Sequence, residues 1–266
     1  MSDLHFSQAN AKLEKLYKVK ELKPYLIGNR KVYSLDMLSG HSCKGSAKQC
    51  FAQVEVKDGK KKLIDGKYQE FRCYSAFQEL IFPAVYNVRK NNLDLVLETM
   101  KSGKQALVDL LDRSLPKNSG IIRFNAAGDY PVLMYFEACL ELTKKHPDVL
   151  FYAYTKKLPF WIKHKEEIDK LSNFTLTASY GGWHDDLIEK YKLRNSTVVF
   201  SQYEAKKLGL RIDFSDELAC RPSWKDKSFG LLLHSAQKAG SKASKAWTRI
   251  KATHGGYSRK PKNKKI

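Results

Sequence analysis

Four of the five cysteines lie in polar segments at the boundaries of predicted elements. They are Cys43, Cys50, Cys73 and Cys220. Lysine, arginine, glycine or serine flanks each of them, and nearby positive charge stabilises the thiolate that ligates metals. Three lie in the first third of the chain and the fourth far downstream, which predicts a metal site that joins distant parts of the fold. Cys139 instead has Phe136 and Leu140 at helical spacing, which predicts a core position.

The chemistry of the four thiols leaves three alternatives. They can hold a [4Fe–4S] cluster, they can hold a zinc ion, or they can bind no metal. The spacing Cys43-x6-Cys50-x22-Cys73 lacks the paired C-x2–4-C knuckles of most zinc sites, which favours the iron–sulfur cluster. His41 is a further candidate ligand, although a structural role is favoured for it.

Polar residues at the ends of two predicted strands are candidates for binding a cofactor. Arg123 and Asn125 lie in the segment IIRFN, and Tyr154 lies in FYAYTKK. Polar side chains within an apolar strand are uncommon, so these three could hold a ribose, a phosphate or a base. Asp129 precedes Pro131, and this order predicts the N-terminal cap and first turn of a helix.

Basic residues interleaved with aromatic ones predict contact with nucleic acid. Lys156 and Lys157 follow the tyrosines of FYAYTKK and could contact phosphates. A basic segment near the C-terminus adds Lys242, Lys245, Trp247, Arg249 and Lys251. The net charge is +20, and eleven basic residues with no acidic one lie in 227–266, which leaves +9 on the rest of the chain. A charge of this sign and size favours DNA or RNA as a partner.

Other motifs narrow the class of protein. The segment SYGGWHDD contains His184, Asp185 and Asp186, but a turn followed by an Asp-capped helix is favoured over a metal or proton-transfer site. The chain has no P-loop, dinucleotide-binding, serine-hydrolase or zincin motif. It has no apolar run of roughly 18 residues, so no membrane partner is expected. Its N-terminus does not resemble a signal peptide, so we expect an intracellular protein with reduced thiols.

Hydrophobic patterning predicts the elements that position these residues. A short helix is predicted over 11–22, an extended segment over 31–35 and helical stretches within 74–114. The two Asp-Gly pairs of KDGKKKLIDGKYQ predict a basic hairpin. Four apolar segments, 121–125, 149–154, 174–180 and 197–202, alternate with stretches long enough for β–α crossovers. Loops after parallel strands gather at one edge, so an α/β fold is predicted, either a partial or a complete (β/α) barrel.

Several segments together resemble a bacteriophage gene-product family that is distantly similar to radical S-adenosylmethionine enzymes. They are SLDMLSGHSCKGSAKQCFA, RCYSAFQ, IIRFNAAGDY, FYAYTKK and FGLLLHSAQKAGSKASKAW, spread over residues 32–247. The resemblance implies a phage origin, host cytoplasm as the location, a (β/α) architecture and a cysteine-ligated cluster. Length and composition predict a single domain over 1–247 with a flexible basic tail over 248–266.

One departure from the radical-enzyme pattern decides between functions. Those enzymes hold their cluster through a compact C-x3-C-x2-C loop and leave one iron open, whereas four thiolates here would cap every iron. The favoured hypothesis is therefore a phage protein that binds DNA or RNA and has a structural cluster. One alternative is a radical S-adenosylmethionine-like enzyme that modifies a nucleotide or nucleic acid and whose cluster is held by three cysteines. The other is a regulator that binds phage or host replication or transcription proteins.

Overall fold

The computed structural model describes residues 2–254, and seven strands form its main sheet. In chain order the strands of the structure are β1 Phe6–Gln8, β2 Lys31–Leu35, β3 Ala52–Lys57, β4 Lys60–Asp65, β5 Ser119–Phe124, β6 Leu150–Thr155, β7 Phe174–Ser179, β8 Asn195–Val199 and β9 Phe229–Leu232. The four predicted strands are β5 to β8. β2 matches the extended segment predicted over 31–35 and lies on one side of them, with β1 beyond it, and β9 lies on the other side.

The strand order in the main sheet follows the order along the chain, β1-β2-β5-β6-β7-β8-β9. Only β1 is antiparallel, with Phe6 opposite Leu35, and the remaining neighbours are parallel. Within residues 2–254 no ladder joins β1 to β9, so the sheet is open. The α/β prediction is confirmed, and the complete barrel is not formed.

The helices connect the parallel strands and flank the sheet. They are α1 Tyr74–Ile81, α2 Pro83–Thr99, α3 Lys104–Ser114, α4 Leu133–Lys145, α5 Leu158–Lys163, α6 Lys165–Lys170, α7 Asp186–Lys190, α8 Gln202–Lys207, α9 Glu217–Cys220 and α10 Lys242–His254. Short 3₁₀ segments cover Leu13–Lys18, Lys20–Leu26, Met100–Ser102 and Pro222–Trp224. The predicted helix over 11–22 is therefore two 3₁₀ segments, the second of which contains Pro24.

Strand β6 shows why its sequence is apolar throughout. Phe151 and Ala153 belong to the larger core on one face of the sheet, which α2, α3 and α4 cover. Leu150 and Tyr152 belong to a second cluster on the opposite face, which the 3₁₀ segments and α9 cover. A parallel strand buried on both faces carries apolar residues without polar alternation.

The basic hairpin forms as predicted from the Asp-Gly pairs. Strands β3 and β4 pair in register from Ala52 opposite Asp65 to Lys57 opposite Lys60. Asp58 and Gly59 have φ values of 51° and 72°, the left-handed conformation that a two-residue hairpin turn requires at both positions. The hairpin fills the interval between Cys50 and Cys73 and so brings these two cysteines back toward each other.

The C-terminal basic segment is a helix that packs on the fold. Ala243 and Ile250 of α10 are buried in a third cluster with Val199 and Leu232. The predicted domain boundary at 247/248 falls within α10, and the end of the predicted tail lies outside the described residues. No helix within residues 2–254 is both long and apolar enough to span a bilayer.

Candidate functional site

A cavity of about 180 Å³ lies at the carboxyl ends of the parallel strands. Its polar lining includes Arg123 and Asn125 from the end of β5 and Tyr154 and Lys156 from the end of β6. Three of the four predicted metal ligands, Cys43, Cys50 and Cys73, also line this cavity. The structure thus brings together the cysteine loops and the predicted cofactor residues.

The loop that carries Cys43 and Cys50 is fixed to the end of β7. The backbone N–H groups of Lys48 and Gln49 donate hydrogen bonds to the Gly181 carbonyl at 3.0 and 2.9 Å. Ala47 forms an isolated bridge with Gly182. The glycine pair of SYGGWHDD therefore supports the cysteine loop, which is a role that the sequence did not reveal.

Asp129 holds the same loop from the other side. Its carboxylate accepts hydrogen bonds from Thr155 Oγ1 at 2.7 Å and from the Lys156 backbone N–H at 2.9 Å, and Ser46 Oγ donates to it at 3.4 Å. The prediction that Asp129 caps a helix is wrong, because α4 begins only at Leu133. Burial raises the pKa of this carboxyl, which is almost fully shielded from solvent.

Cys73 lies at the N-terminal end of α1. The preceding residue, Arg72, is held by Gln237: its backbone N–H donates a hydrogen bond to Gln237 Oε1 at 2.6 Å. The hydroxyl of Tyr74 donates to the Ala126 carbonyl, so the start of α1 is tied to the loop after β5. These contacts fix Cys73 at the start of α1, where it lines the cavity.

Burial outweighs the effect of nearby positive charge on the pKa of three of the cysteines. Burial raises the pKa of Cys43 well above its usual value, and Asp129 raises it further. Burial also raises the pKa of Cys50 to about 11, although the Lys156 charge acts in the opposite direction. Burial and Asp216 likewise raise the pKa of Cys220. In each case burial disfavours the charged thiolate.

Cys220 lies apart from the cavity lining. It is the last residue of α9 and is fully buried in the second cluster, beside Leu218 and Ala219. The Thr175 hydroxyl donates to the Ala219 carbonyl at 2.9 Å, which packs this turn against β7. Cys139 is buried in α4 as predicted. Within residues 2–254, no group of three or more His, Cys, Asp or Glu side chains is arranged to hold a single metal ion.

Arg123 belongs to a buried ion network at the floor of the cavity. Its guanidinium forms a salt bridge with Asp216. Lys12 Nζ forms a second salt bridge with the same carboxylate, at 2.6 Å. Tyr152 donates to the Asp216 carboxylate at 3.2 Å, and Tyr154 at 3.5 Å. Burial alone would raise the pKa of Asp216, but the Arg123 and Lys12 charges outweigh it and lower that pKa to about 2.

Asn125 is the one predicted cofactor residue with a buried amide that lacks a partner in the described structure. Its side-chain oxygen and nitrogen are both buried without a hydrogen bond, although it lines the cavity and is only 4% exposed. Its φ of 53° is a left-handed backbone conformation, which asparagine tolerates better than most residues. Buried amides without partners are rare in folded proteins and indicate a missing ligand or water.

The two lysines after β6 have different environments. Lys156 is buried, and its Nζ donates to the Ser179 carbonyl, the Ser179 hydroxyl and the Tyr180 carbonyl at 3.1, 2.6 and 2.8 Å. The prediction that Lys156 contacts phosphates has no support from this geometry, since its three donors are used within the protein. Lys157 Nζ donates to the Lys44 carbonyl at 2.6 Å at the rim of the cysteine loop.

The predicted basic residues of α10 line a groove next to the cavity. The groove, of about 640 Å³, lies between α10 and the start of α8, and Lys242, Lys245 and Arg249 line it. Lys251 is exposed on the same helix, whereas Trp247 packs against the third cluster. Leu232 lines both the groove and the cavity, so the two lie on either side of this residue.

The comparison with known families covers almost the whole molecule. A family model described as Gene product 88 matches residues 4–251, from the strand β1 region into α10. The chain belongs to the Gene product 88 family. The predicted bacteriophage family is confirmed, while the radical-enzyme organisation and the cluster stay predictions. No curated protein and no solved structure matches this Gene product 88 chain.

Some residues of the Gene product 88 site escaped the sequence predictions. Asp216 and Lys12 both line the cavity, yet neither of them falls in a polar motif at the end of a predicted strand. His234 contacts the Tyr74 ring edge to face at 4.8 Å. The left-handed φ of 61° at Asp216 and its complete burial are visible only in three dimensions.

Proposed function

We propose that this Gene product 88 protein is an iron–sulfur enzyme similar in kind to radical S-adenosylmethionine enzymes, acting on a nucleotide or nucleic acid in the host cytoplasm. The observation that carries the proposal is the position of the cysteines. Cys43, Cys50 and Cys73 line one cavity, while Cys220 is packed into a separate apolar cluster. Three thiolates hold a four-iron cluster with one iron left for a cofactor.

Three cysteine thiols are the type of ligand that an iron–sulfur cluster takes. A zinc ion needs its sulfur ligands about 2.3 Å from one centre, and no such arrangement of three donors occurs in residues 2–254. A four-iron cluster spreads its thiolate ligands over different irons, so it accepts a wider spacing.

The cavity also has the polar groups that a nucleoside-bearing cofactor requires. The Asn125 amide has both a donor and an acceptor without partners, and the buried Arg123 Nε is likewise unpaired. The Arg123 guanidinium lies 5.2 Å from the centre of the Tyr154 ring, which holds it in place. These groups would orient S-adenosylmethionine beside the cluster. A bound cluster supplies the electron for reductive cleavage of the sulfonium bond.

The neighbouring basic groove favours nucleic acid as the substrate. Lys242, Lys245 and Arg249 repeat along one side of α10, a spacing that lets them follow a phosphate backbone. One acidic residue, Glu204, also lines the groove, and its carboxylate accepts a hydrogen bond from the Phe200 backbone N–H at 2.6 Å. The three basic side chains outnumber this carboxylate, so the groove keeps a positive character.

The four-thiolate structural cluster has less support, because it would require Cys220 to leave a fully buried site. A decisive test is anaerobic reconstitution with iron and sulfide, followed by incubation with S-adenosylmethionine and dithionite. We expect release of methionine and 5′-deoxyadenosine in equal amounts, with the reductant supplying one electron per cleavage and a substrate or solvent hydrogen completing the product. The Cys73→Ser variant should release neither, and a loaded wild-type cluster without cleavage would contradict the enzymatic proposal.

A further inference from the structure

An exposed pair of aromatic rings lies beside the cysteine loop. Tyr68, after the hairpin, is 49% exposed, and Trp183, after β7, is 47% exposed. Their ring centroids are 5.3 Å apart with planes at 88°, so the rings meet edge to face. Large aromatic side chains are among the costliest groups to leave in water, and a pair of them on the surface indicates a binding site.

Two lysines flank the aromatic pair. Lys48 Nζ lies 4.9 Å from the Trp183 ring centre and 5.7 Å from that of Tyr68. Lys67 Nζ lies 5.4 Å from the Tyr68 ring centre. Within residues 2–254 neither lysine forms an ion pair with a carboxylate. Their charges are therefore available to an anionic ligand.

Both rings are anchored to the wall of the cavity. The Trp183 backbone N–H donates to the Ser46 carbonyl at 3.0 Å, and the N–H groups of Gly181 and Gly182 donate to the Asp185 carboxylate at 2.9 Å. On the other side, the segment after Tyr68 is held by the Glu70 backbone N–H, which donates to the Gln49 carbonyl at 2.8 Å. Rigid support reduces the entropy lost on binding.

We propose that Tyr68 and Trp183 form a platform that stacks an unpaired base of single-stranded DNA or RNA, with Lys48 and Lys67 contacting its phosphates. This inference rests on the proposed function for the presence of a nucleic-acid substrate, and it specifies that the substrate is presented unpaired. Aromatic faces with adjacent cations are how proteins hold single strands without reading their sequence. The net charge of +20 matches the same class of partner. Bases inside a duplex have no free face to stack.

The test measures binding of a fluorescein-labelled oligothymidylate by anisotropy at low salt. Trp183→Ala and Tyr68→Ala should each weaken binding about tenfold, because stacking on one aromatic side chain is worth about 1–3 kcal/mol. Trp183→Phe should retain most of the affinity. The matched control is Phe82→Ala, which removes a ring that is 52% exposed at the end of α1 farthest from Cys73. Binding of a duplex of equal length should not depend on Trp183.

Each negative result of the binding experiment contradicts a different part of the proposal. If wild type binds the single strand and the two alanine variants bind equally well, the platform is wrong while a nucleic-acid substrate stands. If wild type binds no oligonucleotide, both the platform and the nucleic-acid substrate are wrong, and cofactor cleavage then tests the enzyme separately. If Trp183→Ala abolishes self-association in sedimentation without changing oligonucleotide affinity, the rings are a contact between two copies of the chain.

Discussion

The Asp129 carboxylate accepts a hydrogen bond from the Lys156 backbone N–H at 2.9 Å, which ties the loop after β5 to the end of β6. The same carboxylate accepts from Ser46 in the cysteine loop, so a single buried group connects three segments around the cavity. Its position makes the geometry of the cysteine loop depend on two neighbouring strands.

Asp129→Asn should loosen the cysteine loop. The amide nitrogen of asparagine would face hydrogen-bond donors, whereas the carboxylate oxygen now accepts hydrogen bonds from them. We therefore expect a loss of about 1–3 kcal/mol in the free energy of unfolding. Urea denaturation monitored by circular dichroism measures the loss. Asp186→Asn is the control, because Asp186 is exposed at the start of α7, and an equal loss there would contradict the role of Asp129.

Asp216→Asn should be strongly destabilising because it leaves the buried Arg123 guanidinium without its counter-charge. Breaking one side of a buried pair costs about 3–5 kcal/mol. The native pKa of Asp216 is lowered to about 2, so its ionised form stabilises the fold above the unfolded pKa of about 4. That stabilisation is lost as the pH falls from about 4 to 2. Acid titration of both proteins should show their stability difference shrinking across this window; a constant difference would contradict the assignment.

Two glycines allow a matched test of how closely the loops pack. Gly128 and Gly45 have nearly equal φ values of 76° and 72°, so an alanine meets the same backbone strain at each. At Gly128 the added Cβ would lie 2.4 Å from Ser42 Oγ and 2.7 Å from the Met37 carbonyl oxygen, whereas Gly45 has open space. Gly128→Ala should therefore lower the thermal midpoint more than Gly45→Ala. Equal shifts would mean that these loops do not pack as described.

Neutralising the α10 groove should weaken nucleic-acid binding and its dependence on salt. We expect Lys245→Gln and Arg249→Gln each to reduce the slope of log K against log salt by about one, since each contact releases one condensed counterion. Lys104→Gln, an exposed lysine at the start of α3, serves as the control. Anisotropy titrations at several salt concentrations give the slopes, and equal slopes for all three variants would remove the groove from the binding surface.

The sequence predicts the central strands well because burial on both faces makes each of them a continuous apolar run. It misses β1, which has only three residues, and it reads β9 as an undefined apolar stretch. The polar residues that follow Cys220 group it with the other cysteines, although Leu218 and Ala219 before it indicate the burial that the structure shows.

The tertiary partners of polar residues are what local sequence could not supply. Lys156 looks like a solvated lysine after a strand, yet its three acceptors lie 23 and 24 residues further along the chain. Asp129 fits a helix cap by its neighbours, but its hydrogen-bond donors come from β6 and the cysteine loop. Trp183 and Tyr68 meet only because the hairpin and the loop after β7 both dock on that cysteine loop.

The most direct test is the iron and acid-labile sulfide content after anaerobic purification of the wild type and its single cysteine variants. We predict about four irons and four sulfides per chain in wild type, in Cys220→Ala and in the core control Cys139→Ala. Cys43→Ser, Cys50→Ser and Cys73→Ser should each lose most of both while remaining folded by circular dichroism. Loss of the cluster in folded Cys220→Ala, or zinc without sulfide in wild type, would contradict a three-cysteine iron–sulfur site.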